Sequence, residues 1–175
     1  FDIEKNVKNI ADSKKKELNQ ITICILDRPR HTDIIEKLKK INVNVKLITD
    51  GDVSGALLVT NKKYNVDAYI GIGGGPEGVL AASALDAYGC KFQGRFLFET
   101  DEDKKRAKDM GIKDLNKKYE LNDIVKGDSI FCATGITTNE HVKGVIHNEG
   151  KFITETLVTC KNTLINVVKK EVPAT

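Results

Sequence analysis

The feature that most constrains the fold is a repeated alternation of apolar runs and helical segments. Apolar runs at 21–26, 45–49 and 67–72 each end in a polar or glycine-rich stretch, and a segment with helical character follows each one. Strands that alternate with helices predict a parallel sheet covered by helices on both faces. Because the carboxyl ends of parallel strands meet at one edge, we expect the three stretches to lie together there.

The remaining segments extend this pattern through one domain at residues 20–175, preceded by a lead-in helix at 1–19. The sequence predicts helices at 2–18, 31–42, 53–59, 76–88 and 102–110, and further strands at 91–98 and 128–134. Strand-like tail segments lie at 142–147, 151–159 and 163–171, joined by Asn148-Glu149-Gly150 and Lys161-Asn162. We therefore expect an α/β fold with a mainly parallel sheet, flanking helices and antiparallel hairpins at the C-terminus.

Composition and charge argue against several classes of protein. The net charge is +3, lysines are mixed with Asp and Glu, and no Trp is present to stack on bases, so nucleic acid is not an expected partner. No apolar run is long enough to span a bilayer, and the charged N-terminus lacks the apolar core of a signal peptide. A membrane partner is therefore not expected either.

The cysteines show neither a CxxC pair nor zinc-ligand spacing. They are Cys24, Cys90, Cys132 and Cys160. This usage favours a reducing compartment and hence a cytoplasmic protein. Cys24 and Cys132 lie in apolar strands, so we expect both to be small core residues.

The stretch after the first strand concentrates arginine. Of 28 basic residues only four are arginines, and two of them, Arg28 and Arg30, flank Pro29. Arginine presents a planar fork that binds phosphate through two parallel hydrogen bonds, which lysine cannot do. The pair indicates an anion site, although a structural ion pair with a carboxylate would also explain it. His31, which follows directly, could cap or orient this loop.

The stretch after the second strand is Asp50-Gly51-Asp52. An Asp at a strand end is often a helix N-cap, and we expect Asp52 to serve partly in that role. Asp50 precedes the glycine turn and is therefore freer to accept hydrogen bonds from sugar hydroxyls.

The stretch after the third strand, 71–78, is rich in glycine. It is not a dinucleotide fingerprint, because Pro76 stands where the third glycine of G-x-G-x-x-G would fall. It does offer backbone that an anion can approach, opening onto a helix N-terminus. Glu77 in the first helical turn would either complement the helix dipole or bind Mg²⁺ or Mn²⁺. Together the three stretches suit a phosphorylated sugar beside a divalent metal.

Taken in order, six segments resemble the C-terminal half of the class II fructose-1,6-bisphosphatases of the GlpX type. The segments are ILDRPRH (25–31), DGDVSGAL (50–57), GIGGGPEGVLAASAL (71–85), QGR (93–95), KGDSIFCATGIT (126–137) and TETLV (154–158). The resemblance covers nearly the whole chain, and six motifs in the right order are far more specific than any one of them.

The resemblance implies hydrolysis of the 1-phosphate of fructose 1,6-bisphosphate with Mg²⁺ or Mn²⁺, on a fold similar to the lithium-sensitive sugar phosphatases. It implies one metal ligand, Glu77. It implies substrate-binding roles for Arg28, Pro29, Arg30, Asp50, Gly51, Asp52 and Gly74. We expect the full-length form to be a homo-oligomer that binds a sugar bisphosphate.

The family's N-terminal half, with the acidic cluster that supplies most metal ligands, has no counterpart in this chain. The sequence also begins with Phe1 rather than Met. We therefore expect a fragment that lacks the N-terminal metal-binding domain and is inactive by itself. The alternative is a non-catalytic α/β domain that binds a sugar phosphate or a nucleotide.

Overall fold

Three parallel strands form the first sheet of the computed structural model, which describes residues 2–161 and 164–174. The strands are β1 (Thr22–Leu26), β2 (Asn44–Ile48) and β3 (Ala68–Tyr69). The central strand is β1, which pairs along its whole length with β2 and through Ile23 and Cys24 with β3. The predicted parallel arrangement is confirmed for this part of the chain.

Helices cover both faces of this sheet, as the sequence predicts. The α-helices of the described residues are α1 (Ile3–Lys14), α2 (Thr32–Lys40), α3 (Asp52–Leu57), α4 (Gly75–Asp86), α5 (Asp101–Asp109) and α6 (Leu121–Ile124). Of these, α1 and α2 lie on one face of the sheet and α3 lies on the other. On one face Val7 of α1 and Leu38 of α2 are fully buried against Ile23. On the other face Leu58, directly after α3, packs on Cys24. Within the described residues, no helix combines the length and apolarity needed to cross a membrane.

The first helix ends beside a buried carboxylate. The predicted helix runs to residue 18, but α1 ends at Lys14 because Lys15 adopts a left-handed conformation, with φ at 53°. Lys14 Nζ and Lys16 Nζ lie 3.1 and 2.7 Å from Asp67 Oδ1. The backbone N–H of Thr22 donates to Asp67 Oδ2 at 2.9 Å. One carboxylate therefore joins the end of α1 to the starts of β1 and β3.

Asp67→Asn should lower the free energy of unfolding by about 2 kcal/mol at neutral pH, because it removes charge-assisted hydrogen bonds. Burial raises the pKa of Asp67, but the bonds from Lys16 and Thr22 and the Lys14 ammonium outweigh it, so the net pKa is lowered. A carboxyl with a lowered folded-state pKa stabilises the fold above its unfolded pKa and loses that contribution as pH falls. Urea unfolding should separate wild type from variant at neutral pH and less so below about pH 4. A difference that stays constant with pH would contradict this role.

The predicted strand at 91–98 is mostly a loop, so that prediction is wrong. Only β4 (Gln93–Gly94) is a strand, and it pairs antiparallel with a short strand that the sequence did not predict, β5 (Tyr119–Glu120). Phe96 stacks on Phe98 and meets Tyr119 of β5 edge to face, whereas Phe92 packs on the core cluster that includes Phe131 and Leu157.

The second half of the chain does not add strands to the parallel sheet. It forms a separate antiparallel sheet of four strands, β6 (Ile130–Thr134), β7 (Ile146–Asn148), β8 (Lys151–Cys160) and β9 (Leu164–Pro173). The long strand β8 pairs with the other three. The strand predicted at 128–134 therefore exists but is not parallel, because the tail offers it a long neighbour that needs no helical crossover. Leu85 of α4 packs on Phe131 and Leu157, which attaches this sheet to α4.

The predicted antiparallel hairpins of the tail are confirmed where the structure describes them. Between β7 and β8, Glu149 and Gly150 both have positive φ, 47° and 72°, as a two-residue type I′ turn requires. The strand predicted at 142–147 begins only at Ile146. The turn predicted at Lys161-Asn162 and the first residue of the strand predicted at 163–171 include positions 162 and 163, which lie outside the described residues.

Two cysteines predicted to be core residues differ in the structure. Cys24 is fully buried in β1, and this burial raises the pKa of its thiol to about 11. Cys132 is exposed, because neighbouring residues of a strand face opposite sides and Phe131 takes the buried side of β6. The core assignment is confirmed for Cys24 and wrong for Cys132.

Iodoacetamide at neutral pH should therefore modify Cys132 well before Cys24, because only an accessible thiolate reacts. Peptide mass spectrometry over a time course would give the two rates. Cys24 should react at the rate of Cys132 only in denaturant. Equal rates for the folded chain would contradict the buried position of Cys24.

Candidate functional site

The stretches that follow β1, β2 and β3 meet at one edge of the parallel sheet. We call this edge the rim and define it by residues 27–31, 50–52 and 71–78. The chain passes from β1 to β2 on one side and then crosses to β3 on the other. The connections therefore diverge at β1, and in open α/β sheets a ligand crevice lies at such a point, outside the carboxyl ends of the strands.

The arginine segment lies in the middle of the rim because it follows the central strand. Pro29 begins a turn of 3₁₀ helix, which its fixed φ favours. Arg30 Nε donates a hydrogen bond of 2.6 Å to the Ile72 carbonyl oxygen in the glycine-rich stretch. Arg28 Nη2 lies 3.9 Å from Asp50 Oδ1. This segment therefore reaches both neighbouring stretches, as the sequence predicts.

The guanidinium of Arg30 keeps most of its hydrogen-bonding capacity. The side chain is exposed, and its two terminal nitrogens have no hydrogen-bond partner among the described residues. Arg28 uses one terminal nitrogen for the Asp27 carbonyl oxygen at 3.2 Å. An anion at the rim would thus meet a guanidinium that is already oriented through Nε and still has a free fork.

His31 fixes the two central stretches of the rim. It is fully buried, and its Nδ1 lies 2.7 Å from the Leu26 carbonyl oxygen. The Ile72 backbone N–H donates to His31 Nε2 at 2.8 Å. Because a carbonyl oxygen only accepts, Nδ1 carries a proton, while Nε2 accepts from the Ile72 N–H and also lies 3.1 Å from the Ile72 carbonyl oxygen, so both ring nitrogens contact the backbone. The predicted orienting role of His31 is confirmed.

The stretch after β2 presents two carboxylates. Asp50 is exposed, and its Oδ1 accepts from the Gly51 N–H at 2.9 Å. Gly51 has a φ of 78°, which favours glycine, and it is the N-cap of α3. The prediction that Asp52 serves partly as the N-cap is therefore wrong. Asp52 is the first residue of the helix, and its Oδ1 accepts from the Val53 N–H. Its Oδ2 lies 3.9 Å from where a β-carbon on Gly73 would stand, so this stretch reaches the glycine-rich one.

Glu77 lies in the first turn of α4, as predicted, and Gly74 is the N-cap. A β-carbon on Gly74 would overlap Glu77 Oε2, whereas one on Gly75 would meet nothing within 4 Å. The carboxylate is thus folded back over the start of the helix. Glu77 is exposed and makes no hydrogen bond with a described residue. This position is compatible with either predicted role, dipole complement or metal ligand.

The described residues do not provide a complete metal site. In this part of the chain, no three His, Cys, Asp or Glu side chains lie close enough together to hold an ion. Mg²⁺ takes about six ligands, of which protein carboxylates supply only some. A metal that uses Glu77 would therefore need further ligands from outside these residues.

A cleft beside the rim was not predicted. It has a volume of about 250 Å³ and lies between Asp50, Gly51 and the loop at 137–140. His141 Nε2 donates to the Ser54 carbonyl oxygen at 3.0 Å, which holds this loop against α3. The segment 126–137 belonged to the family resemblance, but its residue types carry no recognisable chemistry, so sequence reasoning gave it no role.

The fold and the rim together define an open α/β protein with a candidate anion-binding site at the carboxyl edge of its parallel sheet. The family model described as bacterial fructose-1,6-bisphosphatase, glpX-encoded, matches residues 1–171. The chain belongs to this family, which confirms the resemblance found in the sequence.

The relatives share a name. Two proteins from Synechococcus sp. (strains JA-2-3B'a(2-13) and JA-3-3Ab), each named D-fructose 1,6-bisphosphatase class 2/sedoheptulose 1,7-bisphosphatase, are 38% identical over 168 residues, covering 89% of this chain and 48% of each relative. A protein of the same name from Trichodesmium erythraeum is 36% identical over 153 residues, covering 80% of this chain and 44% of its own. The chain spans about half the length of the curated relatives it matches and corresponds to a C-terminal portion of them.

Proposed function

We propose that this chain forms the sugar-phosphate-binding side of a fructose bisphosphatase that releases the 1-phosphate of fructose 1,6-bisphosphate and leaves fructose 6-phosphate. The observation that carries the proposal is the hydrogen bond from Arg30 to Ile72, which joins the arginine segment to the glycine-rich stretch. Family membership supports the substrate class, because the matched relatives bear the name of this activity.

Each polar group of the rim receives a role that its position supports. The free fork of Arg30, together with Arg28, would hold the non-reacting 6-phosphate through charge-assisted hydrogen bonds. This remote binding energy would orient the reacting end of the sugar. The exposed carboxylate of Asp50 and that of Asp52 would accept hydrogen bonds from sugar hydroxyls. Gly74 would bring bare backbone close to the ligand.

Glu77 is the residue that we assign to a divalent metal, Mg²⁺ or Mn²⁺. Its open carboxylate supports this assignment, and a metal at that position would polarise the reacting phosphate. The remaining ligands must come from outside the described residues. We therefore expect the 175-residue chain to bind a sugar phosphate and to hydrolyse none.

The finer structural and cellular assignments belong to the same proposal. We assign the domain to the lithium-sensitive sugar-phosphatase type, which the three-stranded parallel sheet with helices on both faces supports. Four free cysteines favour a reducing compartment such as the cytoplasm. The complete enzyme would be a homo-oligomer.

The test is a chimaera that joins the N-terminal portion of the Synechococcus relative to this chain. With Mn²⁺, the chimaera should release phosphate from fructose 1,6-bisphosphate and leave fructose 6-phosphate, whereas this chain alone should release none. A folded chimaera that binds fructose 6-phosphate without turnover would instead favour a non-catalytic binding domain. The lack of a metal-ligand cluster among the described residues is the observation that favours this second candidate.

A further inference from the structure

Tyr69 is a half-buried tyrosine of the parallel sheet that reaches the rim. It lies on β3 and pairs with Cys24 of β1. Its ring faces α3, and a β-carbon on Gly55 of α3 would approach the ring to 3.0 Å. The ring is therefore held closely between the sheet and the helix that begins at Asp52.

The hydroxyl group of Tyr69 lies at the start of the glycine-rich stretch. A β-carbon on Gly71 would be 3.5 Å from this hydroxyl oxygen and 3.7 Å from His31 Nε2. Among the described residues the hydroxyl has no hydrogen-bond partner. The oxygen is not one of the fully buried side-chain atoms that lack a partner, so it stays open to solvent and a ligand at the rim can reach it.

Burial and a nearby carboxylate keep the Tyr69 hydroxyl protonated. Burial raises the pKa of Tyr69 to about 12, the Asp52 carboxylate adds to this effect, and the Arg30 guanidinium opposes it. At neutral pH the side chain is therefore a neutral phenol that can donate one hydrogen bond. Arg30 Nε donates to the carbonyl oxygen of Ile72, the residue after Gly71, so the Tyr69 hydroxyl and this guanidinium approach the same part of the glycine-rich stretch.

We propose that the Tyr69 hydroxyl donates a hydrogen bond to an oxygen of the phosphate that Arg30 holds, which makes Tyr69 a further binding residue of this site. The inference rests on the proposed function, because it takes the ligand to be a sugar phosphate. A phenol suits this position, since it adds a donor beside Arg30 without adding charge. The oxygens of a phosphate accept hydrogen bonds and can therefore receive the hydrogen of the phenol.

The test is calorimetric titration of fructose 6-phosphate, and separately inorganic phosphate, into the 175-residue chain and its Tyr69→Phe variant. Phenylalanine keeps the ring packing on Gly55 and removes only the hydroxyl. The affinity for both ligands should fall about tenfold or more, as expected for a lost hydrogen bond to a charged group. Tyr88→Phe, a half-buried tyrosine just past the other end of α4, is the matched control and should bind as wild type does.

Three further outcomes separate this inference from the proposed function. If Arg30→Ala abolishes binding while Tyr69→Phe binds as tightly as wild type, the rim stands and the role of Tyr69 is wrong. A loss confined to fructose 6-phosphate would overturn the contact with phosphate. If wild type binds neither ligand, the proposed function and this inference both fail. Thermal unfolding of each variant checks that the fold is retained.

Discussion

Glu77→Gln in the chimaera is expected to reduce turnover of fructose 1,6-bisphosphate about a hundredfold or more, because a neutral amide is a poor ligand for a hard divalent cation. The substitution keeps the size of the side chain, and Glu77 is exposed and makes no hydrogen bond with a described residue. The folded state should therefore be little affected. Turnover measured against Mn²⁺ concentration should also show a weaker metal dependence.

Glu4→Gln is the matched control, since Glu4 likewise lies in the first turn of a twelve-residue helix, α1. It should leave turnover unchanged. If Glu77 only complements the dipole of α4, Glu77→Gln should instead cost about 0.3–1 kcal/mol of stability and spare turnover. That result would remove Glu77 from the metal site.

Arg30→Lys is the second substitution with a large expected effect. Arg30 donates through Nε to Ile72 and keeps two terminal nitrogens free, and a lysine ammonium cannot do both. The KM of the chimaera for fructose 1,6-bisphosphate should rise about tenfold or more, the cost of a charge-assisted hydrogen bond. The effect falls on kcat instead if the contact tightens in the transition state.

The controls for Arg30 use the other arginines. Arg28→Lys should be mild, because the contact of Arg28 with Asp50 is already long at 3.9 Å and a point charge can still meet a phosphate. Arg106→Lys, in the last turn of α5, should have no effect. Wild type and Arg30→Lys should turn over a substrate without the distal phosphate with the same KM and kcat. Equal damage with both substrates would place Arg30 at the reacting phosphate or in the fold.

The parallel sheet and the rim were predictable because their signals are local. Apolar runs followed by glycine and charged residues mark the strand ends, and the geometry of parallel strands then brings those ends together. The structure accordingly joins Arg30 to Ile72 and brings Arg28 near Asp50. Local signals also located α4 and α5, with Pro76 in the first turn of the one and Gly111 after the other.

Other features depend on tertiary contacts that no short pattern carries. The sequence cannot say which strand the segment at 128–134 pairs with, and its partner β8 lies in the tail. The exposure of Cys132 depends on which face of β6 meets α4. Likewise the position of the Tyr69 ring depends on Gly55 of α3, where a β-carbon would approach the ring to 3.0 Å. Arg30 donates to the backbone carbonyl oxygen of Ile72, and a contact with the backbone cannot be predicted from the type of residue at position 72.

The most direct test of the central claim is an NMR titration of the isotopically labelled 175-residue chain with fructose 6-phosphate. Ligand-induced shifts should concentrate on the backbone amides of the rim, at 28, 30–31, 51–52, 72–75 and 77, and on the Nε–H of Arg30. The antiparallel sheet should stay unchanged, with β9 as an internal reference. Shifts confined to the antiparallel sheet or to the loop at 137–140, or no shifts at saturating ligand, would contradict the assignment of the sugar-phosphate site to the rim.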